Sequence, residues 1–134
     1  MSEEATVGIV LVSHSAALAT GTAELAGQMG GGLVRIVPAG GTDDDRLGTS
    51  IGKLRRALAD ADVGAGVLIL PDLGSSVLTV KALLAEDGPL PAALEVADAP
   101  FVEGAVAAAV IAATGGDLKA VRSAAEEAWH ARKL

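Results

Sequence analysis

The 134-residue chain carries ten Lys and Arg against seventeen Asp and Glu, a formal net charge of −7, which argues against nucleic acid or an anionic membrane surface as a partner. It has no Cys, so disulfides, thiolate nucleophiles and Cys-ligated metal centres are excluded, and an aromatic content of 1% leaves almost nothing to stack a flavin or a base. One ordinary domain spanning residues 1–134 is expected, burying roughly two-thirds of its unfolded surface.

The acidic start, Met1-Ser2-Glu3-Glu4, is the opposite of a basic, apolar signal segment, and no apolar run approaches the roughly 18 residues of a membrane span. A cytoplasmic protein is expected. Residues 7–12 then form a short Val, Ile and Leu run that predicts a buried strand. The spacing that follows predicts a helix over 16–29, with Ser15 as N-cap and Gly30 beyond its end. A second strand is predicted over 33–37 and a second helix over 51–61, where Leu54 and Leu58 lie one turn apart; a third strand follows at 67–70. The remaining elements are a helix over 76–84, a short strand at 94–96, an Ala-rich helix over 101–113 closed by Gly115-Gly116, and a last helix from Asp117.

Strands alternating with helices, under right-handed crossovers, predict an α/β fold: a small doubly wound, mostly parallel sheet with helices on both faces. In such sheets ligands sit beyond the carboxyl ends of the strands. Three loops are thereby nominated: Ser13-His14-Ser15-Ala16, Pro38 to Asp45, and Pro71-Asp72-Leu73-Gly74-Ser75-Ser76.

His14 stands between a buried strand and a helix start whose first N–H groups lack intrahelical partners and favour an anion. An imidazole there is a candidate phosphoryl acceptor. One ring nitrogen attacks phosphorus while the other donates to a carboxylate that fixes the tautomer, and Asp72 is placed for that part. Asp72 is equally suited to an Asx turn or a helix cap, and one side chain can serve both purposes. Ser75 and Ser76 offer hydroxyls and helix-start donors, and Gly74 offers backbone freedom near a ligand.

The run Asp43-Asp44-Asp45 points three consecutive side chains in different directions and reads as a solvated loop, so no metal is assigned. His130, beside Arg132 and Lys133, reads as a surface histidine. No GxxxxGK[ST] or G-x-G-x-x-G pattern occurs, so no nucleotide or other cofactor is expected on the chain alone.

The segments Val7-Gly8-Ile9-Val10-Leu11-Val12-Ser13-His14-Ser15, Gly48-Thr49-Ser50 and Leu70-Pro71-Asp72-Leu73-Gly74-Ser75, with a weaker match at 95–104, resemble the DhaM family. Its members are the phosphotransferase subunits of PTS-dependent dihydroxyacetone kinase, with a domain of the mannose-type EIIA kind. The resemblance implies that His14 takes a phosphoryl group from HPr and passes it to ADP held in the DhaL subunit, and that the ATP regenerated there phosphorylates dihydroxyacetone bound in DhaK. It also implies a homodimer, donation by a separate protein, and a phosphate environment of Ser13, Ser15, Ala16, Thr49, Gly74 and Ser75. Two other readings of the same residues are a mannose-type sugar-transport EIIA domain serving a IIB domain and a non-catalytic module that senses an anion.

Overall fold

The computed structural model describes residues 5–134, so the acidic start read at residues 1–4 lies outside it. Its elements run β1 (Gly8–Ser13), α1 (Ala16–Met29), β2 (Ile36–Gly40), α2 (Ile51–Ala61), β3 (Val67–Pro71), α3 (Gly74–Leu84), β4 (Leu94–Val96), α4 (Phe101–Ala113) and α5 (Leu118–Glu127), with a 3-10 turn at Ala128–His130. All strand pairs are parallel and the sheet order is β2-β1-β3-β4. The doubly wound α/β sheet expected from the sequence is what forms. The chain places β2 on one side of β1 and β3 on the other, so strand order reverses between β1 and β3 and a crevice opens beyond Ser13 and Pro71.

Every residue of β1 is buried, which is why its sequence is continuously apolar rather than alternating. Ile9, Leu11, Leu68 and Leu70 face α1, α4 and α5, whereas Val10, Val12, Val67 and Ile69 face α2 and α3. Two cores therefore share one sheet. On the first side the helices meet it through small residues, Ala26, Ala105, Ala108, Ala109 and Ala112, so helix and sheet approach closely where larger side chains would hold them apart. Gly8 belongs to the same logic on the other side, because a Cβ there would collide with the carbonyl oxygen of Ala61 at the end of α2.

Three boundaries differ from the sequence reading by more than one residue. The second strand begins at Ile36 rather than residue 33: Gly31 and Gly32 adopt φ of 69° and 74°, the chain is still turning, and Leu33 is left 66% exposed. It then continues through Pro38 to Gly40, residues expected in the loop. Proline is accommodated because β2 is an edge strand. The carbonyl of Arg35 and the N–H of Gly41 bond to β1, so odd-numbered residues face inward and the nitrogen of Pro38 faces the open edge. The third difference is α3, which starts at Gly74 rather than Ser76 and brings Gly74 and Ser75 into its first turn.

Behind β4, Arg122 on α5 pairs with Glu95 and Glu126, both at 3.2 Å, and Glu126 accepts the N–H of Asp98 at 3.0 Å. Trp129 donates its indole N–H to the carbonyl of Asp98 at 2.8 Å. These contacts hold the loop after β4 alongside the crevice.

Candidate active site

His14 follows the last residue of β1 and Asp72 the last residue of β3, so two neighbouring strand ends deliver them to the same point. The backbone N–H of Asp72 donates to the carbonyl of Val12 at 2.9 Å, and the N–H of His14 donates to Asp72 Oδ2 at 3.0 Å. The side chains also meet, with His14 Nδ1 at 3.1 Å from Asp72 Oδ1. A carboxylate accepts only, so Nδ1 carries the proton and Nε2 is left with its lone pair. Ser75 Oγ lies 2.9 Å from Nε2 and donates to it.

Asp72 is held by more than the imidazole. Ser13 Oγ donates to Oδ2 at 3.0 Å, while Ser76 Oγ and the N–H of Leu73 donate to Oδ1 at 2.6 and 2.7 Å. Burial pushes this carboxyl upward, but the hydrogen bonds from Ser76, His14 and Ser13 outweigh it and bring its pKa down to about 2. Asp72 is thus a fixed anion that orients the ring and does not take its proton. It is also the turn residue of the loop, through Leu73, so its two anticipated purposes coincide in one carboxylate. Its side chain is 7% exposed against 28% for His14, which leaves the ring as the accessible member of the pair.

The surrounding loops lock the backbone of His14. Its carbonyl accepts the N–H of Gly48 at 2.8 Å, and the carbonyl of Ser13 accepts the N–H of Gly41 at 3.1 Å. Gly40 makes this packing feasible, since a Cβ there would lie 2.6 Å from the carbonyl oxygen of Ser15. Two helix starts adjoin the ring. Ser15 caps α1 by accepting the N–H of Leu18 at 3.2 Å, and α3 begins after Leu73 with no side-chain cap at all. By position, the N–H groups of Ala16 on α1 and of Gly74 and Ser75 on α3 have no intrahelical acceptor.

The anticipated phosphate residues separate into two groups. Ser75 and Gly74 stand at the ring, and Ala16 opens α1. Ser13 is fully buried with its hydroxyl on Asp72, Ser15 is engaged in capping, and Thr49 shares a 2.5 Å hydrogen bond with Thr79 of α3. Gly74 has a negative φ and open space where a Cβ would stand, so the fold itself makes no demand for glycine there. Ser76, read from the sequence as offering a hydroxyl and a helix-start N–H, is fully buried; its hydroxyl donates to Asp72 and lies 3.2 Å from His14 Nδ1. The signal for that role was its i+4 spacing from Asp72. A helix beginning at Ser76 itself, as the sequence predicts, hides that spacing.

Away from the ring, Asp43, Asp44 and Asp45 turn to Ser50, Thr42 with Arg46, and Lys53 respectively. Among the described residues no group of three His, Cys, Asp or Glu side chains is placed to hold a metal ion. His130 is exposed in the 3-10 turn. Beside Asp72 opens a cavity of about 540 Å³ lined by Leu73, Val77, Val96, Asp98 and Trp129. Leu47, next to the Gly48 that bonds to His14, and Leu73, whose own N–H bonds to Asp72, are 81% and 60% exposed.

Residues 8–122 match the EIIA-man family model, described as the PTS system fructose IIA component. A relative from Listeria innocua, named PEP-dependent dihydroxyacetone kinase 2, phosphoryl donor subunit DhaM, is 39% identical over 105 residues, covering 78% of this chain and 84% of the relative. The phosphoryl donor subunit DhaM of PEP-dependent dihydroxyacetone kinase from Escherichia coli K12 is 38% identical over 134 residues, and there the match covers 95% of this chain but 28% of the longer relative. The crystal structure of EF1359, titled a protein of unknown function, superposes with a TM-score of 0.76 at 32% identity, covering 92% of this chain and 95% of that one.

Proposed function

Since this chain belongs to the EIIA-man family, we propose that it is a phosphohistidine carrier: His14 accepts a phosphoryl group from phosphorylated HPr and passes it to ADP bound in a DhaL subunit, so that the ATP formed there serves DhaK. One observation carries the chemistry. Asp72 holds Nδ1 while Nε2, lone pair outward, meets only the rotatable hydroxyl of the exposed Ser75. The relatives named as phosphoryl donor subunits of dihydroxyacetone kinase support a donor role within that kinase system.

In the first step the Nε2 lone pair attacks phosphorus as the P–N bond of the donor phosphohistidine breaks, and the donor imidazole leaves as the neutral base. The ring of His14 becomes positively charged. Its Nδ1 proton remains in place, and Asp72, anionic throughout, stabilises that charge without reorganising. The hydroxyl of Ser75 swings from Nε2 to a phosphoryl oxygen, and the N–H groups of Gly74, Ser75 and Ala16 offer further donors to the three oxygens. In the second step a terminal phosphate oxygen of ADP attacks the same phosphorus and the Nε2–P bond breaks. His14 is restored with its proton still on Nδ1.

Incubating the chain with phosphorylated HPr is expected to produce an acid-labile, alkali-stable phosphate on His14, and adding DhaL with ADP should remove it as ATP appears. A phosphorylated chain that ignores DhaL with ADP and donates to a IIB domain would retain the carrier role and overturn the acceptor. No label at all would overturn the carrier role itself.

A further inference from the structure

We propose that, while His14 carries no phosphate, Ser75, His14 and Asp72 act as a nucleophilic triad that moves a small acyl group from an activated ester to Ser75 and then to water. This activity goes beyond the carrier reading and does not depend on it. Ser75 Oγ lies 2.9 Å from His14 Nε2, and His14 Nδ1 lies 3.1 Å from Asp72 Oδ1. Both contacts are within the reach that serine acyl transfer needs, and their polarity is right: the hydroxyl donates to Nε2 and Nδ1 donates to the carboxylate. Such constellations arise on unrelated folds and are recognised by geometry and roles rather than by order in the chain. Two further observations point to a substrate. Ser75 is exposed in the first turn of α3, whose start has no side-chain cap, so its own N–H and that of Gly74 are available to an oxyanion. The cavity of about 540 Å³ lined by Leu73, Gly74, Val77, Val96 and Trp129 has room for a short apolar acyl group, and Asp72 and Asp98 on its wall disfavour an anionic one.

In the first step Ser75 Oγ attacks the ester carbonyl carbon as its proton passes to His14 Nε2, and the carbonyl oxygen becomes an oxyanion that accepts from the N–H groups of Gly74 and Ser75. Asp72 stays ionised and stabilises the imidazolium. The tetrahedral adduct collapses, the bond to the alcohol oxygen breaks, and the Nε2 proton goes to that oxygen. Water then attacks the acyl carbon and gives a proton to Nε2. Breaking the acyl–Oγ bond returns that proton to Oγ and releases the carboxylic acid. A phosphoryl group on Nε2 takes the lone pair that these steps use, so the two chemistries of the ring exclude one another.

Treating the full chain, without HPr, with p-nitrophenyl acetate and with a fluorophosphonate probe tests the proposal. A burst of p-nitrophenolate followed by slow turnover is expected, and mass spectrometry should map the fluorophosphonate adduct to Ser75. Ser75→Ala should lose both adduct and burst yet still take phosphate from phosphorylated HPr, and His14→Ala should slow acylation by roughly 100-fold or more. Circular dichroism shows whether each variant is folded; should one fail to fold, the adduct mapped on the wild type decides the matter. A wild type with neither burst nor adduct overturns the activity. An adduct elsewhere, or a burst that survives in Ser75→Ala because the imidazole itself is acylated, overturns the assignment to Ser75, and full-rate acylation in His14→Ala overturns the ring as base. Phosphate labelling is read separately, so a chain acylated at Ser75 that accepts no phosphate sustains this inference and overturns only the carrier role.

Discussion

At the scale of single residues, the arrangement depends on Asp72 being an anion under all working conditions. Its pKa of about 2 lies below the ordinary value of 3.8, so the unfolded chain takes up a proton between about pH 4 and 2 that the folded chain refuses. The ionised carboxylate therefore adds about 2 kcal/mol of stability that is complete above pH 4 and disappears as pH falls towards 2. Thermal melts across that range should show Asp72→Asn losing this part of the acid dependence. At neutral pH the same variant should transfer phosphate roughly 10- to 100-fold more slowly, because Asn orients the ring without stabilising its charge; normal transfer with a lowered melting temperature would make Asp72 a turn residue alone. Ser75→Ala removes one neutral hydrogen bond to the ring and the phosphoryl group, and rapid-quench assays should show about a tenfold slowing. His14→Ala should be folded and unlabelled, whereas His130→Ala should be labelled normally.

Elements respond to substitution according to how closely they approach one another. Gly8 and Gly74 make a matched pair. A methyl on Gly8 has to push β1 away from the end of α2, and Gly8→Ala is expected to destabilise by about 3 kcal/mol in chemical denaturation. Gly74 sits in open space in the first turn of α3, and Gly74→Ala should leave stability unchanged or raise it by about 0.5 kcal/mol. If that stable variant transfers slowly, the glycine serves the approach of phosphate or partner to the α3 N–H groups. Leu54 and Leu58, fully buried on α2 and one turn apart, illustrate the ordinary case: truncation of Leu54 to Ala should cost about 3 kcal/mol without changing the transfer rate of the folded fraction.

Over the whole molecule, the described residues bring the proposed acceptor ring of His14 to the point where strand order reverses, flanked by exposed Leu47 and Leu73, and the sequence contains no GxxxxGK[ST] phosphate loop. Nucleotide is accordingly expected only through a partner. Calorimetry of the isolated chain with ADP or ATP should register no specific heat, and a stoichiometric isotherm would show that the chain has a nucleotide site of its own.

Much of this was legible in the order of residues. Continuous Val, Ile and Leu runs alternating with helical spacings determined a parallel sheet covered on both faces, because only that arrangement buries such strands on both sides. The position of His14 at one strand end and Asp72 at another was equally plain, since the carboxyl ends of parallel strands share one edge. What local spacing could not reach were matters of distance between segments remote in the chain. Whether the carboxylate touches Nδ1, that Ser13 and Ser76 face inward to hold it, and that Thr49 is engaged by Thr79 depend on β1 and β3 being neighbours and on where α3 starts. The late start of β2 had the same origin: two glycines in the left-handed region and an open sheet edge decided where pairing began and allowed it to run through Pro38, against the local preference of the residues. Tertiary packing alone selected which of the serine hydroxyls around the ring stands exposed at Nε2, because burial and other hydrogen bonds engage the rest.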